Sequence, residues 1–195
     1  PVRLGFAVKV LGQPSLKSND SRRWQNAPHL SVSLAYVRDI LVYLRKVGIR
    51  MYRLSSELAP YATHPALPQF HDQVDDCRAE LAEIGRLARS DDVRLSFHPG
   101  AYVVLNSPDE VVAAKSRADL DVQAALLDAM GLDRRAVVVI HGGGTYDDKA
   151  GALDRFVARW EQLAESTRMR LALENDERHF AVEVIWTVHL RTGIR

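Results

Sequence analysis

Five short apolar stretches alternate with five amphipathic stretches along the chain, and this alternation restricts the possible folds more than any other feature of the sequence. The strand-like stretches are 3–8, 49–55, 93–98, 136–141 and 169–174. The helix-like stretches are 33–47 and segments near 72–89, 109–130, 149–166 and 180–191. Strands that alternate with helices indicate a parallel sheet covered by helices. The sequence therefore predicts an α/β fold.

The stretch 33–47, SLAYVRDILVYLRKV, gives the clearest helical pattern. Six apolar residues recur three and four positions apart, which places them on one face of a helix: Leu34, Val37, Ile40, Leu41, Leu44 and Val47. Ser33 can cap the amino end of this helix, and Gly48 is suited to end it. The following residues, IRMYRLS, then form the second predicted strand.

Two folds accommodate this order of elements. A (β/α)₈ TIM barrel typically needs roughly 250 residues, so 195 residues with five βα units correspond to part of one. A complete doubly wound sheet of five strands is the alternative, although no GxGxxG turn follows the first strand. At the end of the chain, LRTGIR repeats the helix, glycine and strand order of KVGIRMYRL at 46–54, and the first residue is Pro1. We expect residues 1–195 to be a single partial TIM-barrel domain of about five βα units, without its C-terminal strands.

Three successive predicted strands end in a side chain that can bind a metal ion. The third ends in LSFHPG with His98, the fourth in VVIHGG with His141, and the fifth in LALENDE with Glu174. In a parallel barrel, strand tips lie side by side on the face that carries active sites. Imidazole and carboxylate ligands together suit Mn²⁺, Zn²⁺ or Fe²⁺. We therefore predict that these three residues bind a divalent cation and act in catalysis.

Two further features near the strand tips fit a metal site. His64, in PYATHPALP, lies about ten residues beyond the second predicted strand and is a fourth candidate ligand. Three glycines follow His141, and Gly100 follows His98 and Pro99. Because glycine lacks a Cβ atom, we expect these positions to turn sharply and to leave room for a bulky substrate.

Residues 1–24 carry five basic side chains, one acidic side chain and two aromatic side chains. Basic groups can neutralise phosphates, and aromatic rings can stack on exposed bases. This segment is therefore a candidate nucleic-acid contact, while a solvated loop with incidental positive charge is the alternative. The candidate DNA contacts in it are Phe6, Lys17, Arg22, Arg23 and Trp24.

The overall composition excludes several classes of protein. The formal net charge is only +1, so the surface as a whole does not have the strongly basic character of many nucleic-acid-binding proteins. A single cysteine, Cys77, excludes a disulfide framework and a cysteine-based zinc site. No apolar run approaches the length that spans a membrane, and no secretion signal is present in these residues. We expect a cytoplasmic protein that does not contact a membrane.

At these residues the sequence resembles the ultraviolet damage endonucleases. The segments that carry the resemblance extend over nearly the whole chain, in the order of the family. They are RLGFAVKVLG, WQNAPHLSVSLAYVRDIL, GIRMYRLSSELAPYATHP, LSFHPGAYVVLNSPD, VVVIHGGGTYDDK and LALENDER.

The resemblance implies a TIM barrel related to the apurinic endonucleases and the xylose isomerase-like proteins. It also implies a cluster of two or three divalent metal ions, most often Mn²⁺, and cleavage of damaged double-stranded DNA immediately 5′ to the lesion. By motif, four residues are similar to metal ligands of the family: His64, His98, His141 and Glu174.

The resemblance also assigns a DNA contact. Tyr102, in HPGAYV, is similar to a residue that the family inserts into the duplex at the lesion. Two residues depart from the pattern of the best-described members, because Ala101 stands in place of Gln and Phe6 in place of Tyr. Both positions are associated with damage recognition in the family.

The other ligands that the resemblance implies would lie beyond Arg195. We therefore expect the isolated 195-residue chain to bind metal weakly and to cleave nothing, whereas the full-length protein is the enzyme and acts as a monomer. Two alternatives remain at this point. One is a sugar isomerase or epimerase with a xylose isomerase-like barrel, and the other is a non-catalytic protein that binds damaged DNA.

Overall fold

The computed structural model describes residues 2–195, and Pro1 lies outside them. The described residues contain five strands: β1 (Gly5–Ala7), β2 (Met51–Arg53), β3 (Arg94–Ser96), β4 (Val138–His141) and β5 (Leu171–Glu174). They also contain seven α-helices: α1 (Leu30–Val47), α2 (Gln73–Asp76), α3 (Arg78–Ser90), α4 (Glu110–Ala129), α5 (Lys149–Glu161), α6 (Glu165–Arg170) and α7 (Val182–Thr192).

All strand pairs are parallel, as the alternation of strands and helices predicts. One sheet has the order β1-β2-β3, and the second consists of β4 and β5. The chain divides into two compact units. The first comprises the residues up to His98 together with 125–136, and the second comprises 99–124 and 137–195.

In the first unit, α1 and α3 accompany the three-stranded sheet. The buried residues of α1 include Leu34, Val37, Ile40, Leu41 and Leu44, which are five of the six apolar positions that the sequence pattern identified. The sixth, Val47, is the last residue of the helix and is 45% exposed. The Tyr52 ring of β2 is fully buried, and its hydroxyl donates to the Val8 carbonyl at 2.8 Å. Burial raises the pKa of this phenol. The centre of the sheet is therefore the core of this unit.

The prediction that Ser33 caps α1 is wrong. The helix begins three residues earlier, at Leu30, and His29 caps it by accepting the Ser31 N–H on Nδ1 at 3.3 Å. Ser33 lies inside the first turns, where its hydroxyl accepts the backbone N–H of Asp20 at 2.9 Å. Gly48 ends the helix with φ of 74°, as predicted.

Two stretches that the sequence predicts as single helices are interrupted. The stretch near 72–89 forms α2 and α3, which Cys77 separates, and the stretch near 149–166 forms α5 and the start of α6. The strands are also shorter than predicted, with three or four residues each. Among the described residues, no helix has both the length and the apolar character that a membrane crossing requires.

In the second unit, residues 193–195 lie beside β5. Gly193 ends α7 with φ of 73°, Ile194 is buried, and the Arg195 carbonyl accepts the Leu173 N–H at 2.7 Å. The sequence similarity between KVGIR and RTGIR therefore corresponds to a shared left-handed glycine after a helix. That the chain is part of a TIM barrel, truncated to about five βα units, stays a prediction.

Candidate metal centre

His141 and Glu174 are the last residues of β4 and β5, and the parallel pairing places them opposite each other. Neighbouring strands in a sheet lie about 4.8 Å apart, so the two side chains leave the backbone close together. The His141 Nδ1 atom lies 2.8 Å from the Glu174 Oε1 atom. Both side chains are a little over one-third exposed, at 38% and 37%. The backbone register alone therefore brings an imidazole and a carboxylate into contact at an accessible position.

His98 completes the group that the sequence predicted. It follows β3 and directly precedes Pro99, the first residue of the second unit. One ligand atom from each of His98, His141 and Glu174 lies within 4.8 Å of the others. The described residues thus contain a possible metal-binding triad.

The chemistry of this donor set fits a divalent cation. Two ligand atoms about 2.1 Å from one ion and at right angles to each other are separated by about 3 Å, which is close to the distance between His141 Nδ1 and Glu174 Oε1. Two imidazoles with one carboxylate suit Mn²⁺, Fe²⁺ or Zn²⁺. This set of ligands contains no thiolate, which is the ligand that soft metals prefer.

The glycines after His141 pack against protein groups, which corrects the expectation that they leave room for substrate. A Cβ atom on Gly142 would lie 2.3 Å from the Phe180 ring, and one on Gly143 would lie 2.1 Å from Asn106 Oδ1. Gly143 also has φ of 86°, so the sharp turn that the sequence predicted is present. Asn106 is fully buried and donates to the Gly144 carbonyl at 2.8 Å. The loop after β4 is therefore fixed by Asn106 and Phe180.

His64 lies apart from the triad in chain position, and it is an exposed residue of the loop between β2 and α2. Its Nδ1 atom accepts the Ala66 N–H at 3.3 Å, and its carbonyl contacts His71 Nε2 at 2.9 Å. Among the described residues, His64 does not belong to a group of three or more His, Cys, Asp or Glu side chains that could hold a metal ion. Its predicted role as a ligand stays a prediction.

Tyr102 and Ala101 are exposed in the loop between β3 and α4. Tyr102 is 54% exposed, and its ring lies so close to Gly100 that a Cβ atom there would be 2.4 Å from the ring. The Lys115 ammonium of α4 lies 5.9 Å from the ring centroid. The sequence reasoning missed Lys115, because its position beside the tyrosine depends on the fold.

In the basic amino-terminal segment, Arg22 is already engaged by a carboxylate. Its Nε and Nη2 atoms donate to the two Asp20 oxygens at 2.8 and 2.6 Å. Asp20 is 3% exposed, and its oxygens also accept the backbone N–H groups of Arg22 and His29. The Arg22 hydrogen bonds, which outweigh the opposing effect of burial, hold the pKa of Asp20 below its ordinary value. Arg22 therefore orders the segment before α1.

The other predicted contacts in this segment are more accessible. Arg23 and Lys17 are exposed, and Trp24 is 47% exposed. The Lys17 ammonium lies 5.5 Å from the Tyr36 ring centroid. Phe6 is partly buried and meets Tyr52 edge to face, with the ring centroids 5.5 Å apart.

Asp20 and Arg159 are buried charged residues that escaped the sequence reasoning. Asp20 organises the segment before α1, and its signal was its position as the single acid among five basic residues. Arg159 of α5 is 7% exposed and donates to the carbonyls of Leu105 and Ser107 and to Glu110. No local pattern distinguishes Arg159 from a surface arginine, since its partners are distant in sequence.

Comparison with known proteins identifies relatives of this chain. The family model described as UV-endonuclease UvdE matches residues 17–194. A UV DNA damage endonuclease from Bacillus velezensis is 38% identical over 168 residues, which cover 85% of this chain and 52% of that protein. A UV-damage endonuclease from Neurospora crassa is 40% identical over 169 residues, which cover 81% of this chain and 24% of that protein. The chain thus spans about half the length of the Bacillus relative and less of the Neurospora one.

Solved structures show the same similarity. The crystal structure of SacUVDE matches all of this chain and 68% of its own, with a TM-score of 0.89 and 31% identity. A D-psicose 3-epimerase from Clostridium cellulolyticum H10 matches 99% of this chain and 61% of its own, with a TM-score of 0.55 and 13% identity. The second similarity concerns the fold alone. Together they support an α/β fold of the TIM-barrel type.

Proposed function

Because the chain belongs to the UV-endonuclease UvdE family, we propose that the protein is a DNA repair endonuclease that cleaves the backbone immediately 5′ to ultraviolet photoproducts and other lesions. The observation that carries the proposal is the His141–Glu174 contact of 2.8 Å, with His98 in the same group. A metal-competent triad in a member of this family supports hydrolysis of a phosphodiester. We place the protein in the cytoplasm, as a monomer.

We propose that His98, His141 and Glu174 hold divalent metal ions, most readily Mn²⁺, and that His64 is a fourth ligand in a cluster of two or three ions. When bound, such ions supply the Lewis acidity that phosphodiester hydrolysis requires. When an ion is bound, a ring nitrogen of His141 and a carboxylate oxygen of Glu174 would each serve as a ligand, which the 2.8 Å separation of Nδ1 and Oε1 allows. The second carboxylate oxygen of Glu174 would be available to another ion of the cluster.

DNA binding is assigned to residues outside the triad. Lys17 and Arg23 neutralise backbone phosphates, while Trp24 stacks on an exposed base. Arg22 supports these residues through its contacts with Asp20. Tyr102 fills the gap that displaced bases leave, and Ala101 and Phe6 adjust which lesions are accepted.

A nicking assay tests the proposed activity. Supercoiled plasmid irradiated with ultraviolet light is incubated with Mn²⁺ and a protein of the relatives' length that carries this chain. We expect nicks in irradiated plasmid, none in unirradiated plasmid, and none with His141→Ala. The 195 residues alone are expected to bind metal more weakly and to leave the plasmid intact.

Arg23→Ala separates binding from chemistry. We expect it to weaken DNA binding and to reduce the slope of log affinity against log salt by about 1, because one phosphate contact is lost. Nicking at saturating protein should persist.

Binding that is insensitive to chelator, without nicking by the longer protein, would instead favour a non-catalytic binder. Epimerisation of a ketose would favour the sugar enzymes that share the fold.

A further inference from the structure

The loop between β4 and α5 holds a tyrosine in an unfavourable backbone conformation, five residues after His141. Tyr146 and Asp147 have φ of 53° and 58°, and Asp148 N–H donates to the Thr145 carbonyl at 2.9 Å. Tight turns with two residues of positive φ favour Asn-Gly pairs. A tyrosine and an aspartate in these positions are strained, and such strain persists mainly at functional sites.

The same turn presents the tyrosine ring to solvent. Tyr146 is 43% exposed, and the Arg155 guanidinium of α5 lies 5.7 Å from its ring centroid. A hydrogen bond fixes the Arg155 side chain in turn, because its Nε atom donates to the Asn106 carbonyl at 3.0 Å. Asn106 also holds the loop through the Gly144 carbonyl. The ring is thus presented on a fixed support.

Polar groups around this support are incompletely satisfied. Arg155 Nη2 and Asn106 Oδ1 are buried and have no hydrogen-bond partner among the described residues. A buried polar atom without a partner is unfavourable, and native proteins contain few of them. The strained turn in the loop that follows His141 is therefore supported by residues that carry one unsatisfied donor, on Arg155, and one unsatisfied acceptor, on Asn106.

The loop after β3 has the same construction. There, Tyr102 is exposed and a cation of the following helix, Lys115, lies 5.9 Å from its ring centroid. In both loops an exposed tyrosine follows a strand that precedes or contains a triad residue, and the next helix provides the cation. An aromatic ring supported by a positive charge suits nucleic acid, because the ring stacks on a base while the charge favours the polyanion.

We propose that Tyr146 is a second aromatic contact for DNA, which stacks on a base or sugar of the substrate, and that Arg155 is a positioning residue that holds the ring. The inference rests on the proposed function, because it assigns a residue to the same substrate. It adds to that function a contact from the loop of His141.

Fluorescence anisotropy measures the contact directly. The probe is a fluorescein-labelled duplex irradiated with ultraviolet light, compared with its unirradiated copy, and the protein is the 195-residue chain. We expect Tyr146→Ala to weaken binding by roughly 5- to 150-fold, which is the range for loss of a stacked base. Tyr146→Phe keeps the ring and should bind within about twofold of the unchanged chain.

The positioning role of Arg155 has its own readout. If Arg155 acts through the ring, then Arg155→Gln weakens binding, and the double variant with Tyr146→Ala binds no more weakly than Tyr146→Ala alone. Trp186→Ala is the matched control, because Trp186 is an exposed aromatic residue on α7, at 60% exposure. Thermal melting of each variant separates loss of contact from loss of fold.

Equal affinity of Tyr146→Ala and the unchanged chain would overturn the inference while the nicking result still stands. Additive losses in the double variant would overturn the positioning role. Failure of the unchanged chain to bind either duplex would overturn the inference as a whole. If the chain binds but the longer protein does not nick, the endonuclease proposal fails and the anisotropy result remains valid.

Discussion

Gly143 is a residue at which the loop after β4 tolerates no side chain. Its φ is 86°, and a Cβ atom would lie 2.1 Å from the buried Asn106 Oδ1 atom. We expect Gly143→Ala to lower the free energy of unfolding by about 2 kcal/mol or more, because the left-handed conformation alone costs roughly 1–2 kcal/mol in other residues. Urea denaturation followed by circular dichroism measures the loss.

Gly144→Ala is the matched control for this substitution. Gly144 lies outside the left-handed region, and its Cβ atom would lie 3.3 Å from the Tyr146 ring, which is exposed and can shift. We expect a loss below about 1 kcal/mol, within the range of ordinary surface changes. Equal losses in the two variants would contradict the account of Gly143.

Asp20 gives the segment before α1 a defined dependence on pH. Its hydrogen bonds with Arg22 hold its pKa below the ordinary value of 3.8. The stability that the ionised carboxylate contributes is therefore fully present above about pH 5, and it is lost as pH falls through 3.8 toward the lower pKa of the folded chain. We expect Asp20→Asn to be less stable by about 1–3 kcal/mol at pH 7, and the difference to narrow below pH 3.8.

Thermal melting of both proteins between pH 7 and pH 3 tests this dependence. Asp75→Asn serves for comparison, because Asp75 pairs with Arg78 at the surface, where its side chain is 68% exposed. An exposed pair contributes about 0–1 kcal/mol, so this variant should follow the unchanged chain at every pH. A gap between Asp20→Asn and the unchanged chain that is constant down to pH 3 would contradict the role of ionised Asp20.

At the level of elements, Arg159 links α5 to the loop that carries Tyr102. It donates to the Leu105 carbonyl at 2.8 Å and to the Ser107 carbonyl, and it pairs with Glu110 at the start of α4. We expect Arg159→Leu to lower the free energy of unfolding by about 2–4 kcal/mol, because two carbonyls lose their donors. Limited proteolysis should then cleave the chain between β3 and α4 faster than in the unchanged protein.

Arg117→Leu provides the comparison for Arg159. Arg117 pairs with the same carboxylate, Glu110, and with Gln162, but it contacts no backbone carbonyl in the described hydrogen bonds. We expect it to change stability by less than about 1 kcal/mol and to leave the proteolysis pattern unchanged. If the loop between β3 and α4 resists proteolysis in Arg159→Leu as well as it does in the unchanged protein, then α5 does not order this loop.

The number and order of the long elements could be predicted from sequence, because burial of one helix face produces the apolar spacing seen in α1. The start of α1 could not, since it depends on Asp20, His29 and Ser33, which contact one another only after folding. The tips of β4 and β5 could be predicted for a simple reason: a polar side chain after an apolar run marks the end of a buried strand. The packing of Gly142 and Gly143 depends on Phe180 and Asn106, which no local pattern connects to them.

For the molecule as a whole, metal binding should appear as thermal stabilisation. A ligand that binds only the folded chain at ten times its Kd stabilises it by about 1.4 kcal/mol, which corresponds to a rise in Tm of about 3–5 °C for a chain of this size. We expect Mn²⁺ to raise the Tm and excess chelator to reverse the rise. Differential scanning fluorimetry over a Mn²⁺ titration gives both the shift and the apparent Kd.

Variants of the candidate ligands show which residues produce the rise in Tm. His141→Ala and Glu174→Gln should remove it, whereas His71→Ala should retain it, because His71 contacts the His64 carbonyl in a loop away from β4 and β5 in sequence. Loss of the shift in His64→Ala would support the fourth ligand. A Mn²⁺ shift that persists in both His141→Ala and Glu174→Gln would mean that the cation binds elsewhere.

The opposition of His141 and Glu174 across two paired strands has a consequence for how the site can be altered. Main-chain hydrogen bonding between β4 and β5 sets the separation of the two side chains. The intervening connection, from α5 to α6, can therefore change in length without moving them apart. An added residue within β5 is different, because side chains alternate between the two faces of a sheet. One such insertion would turn the carboxylate to the opposite side, and the pair would be lost although every amino acid needed for it was still present.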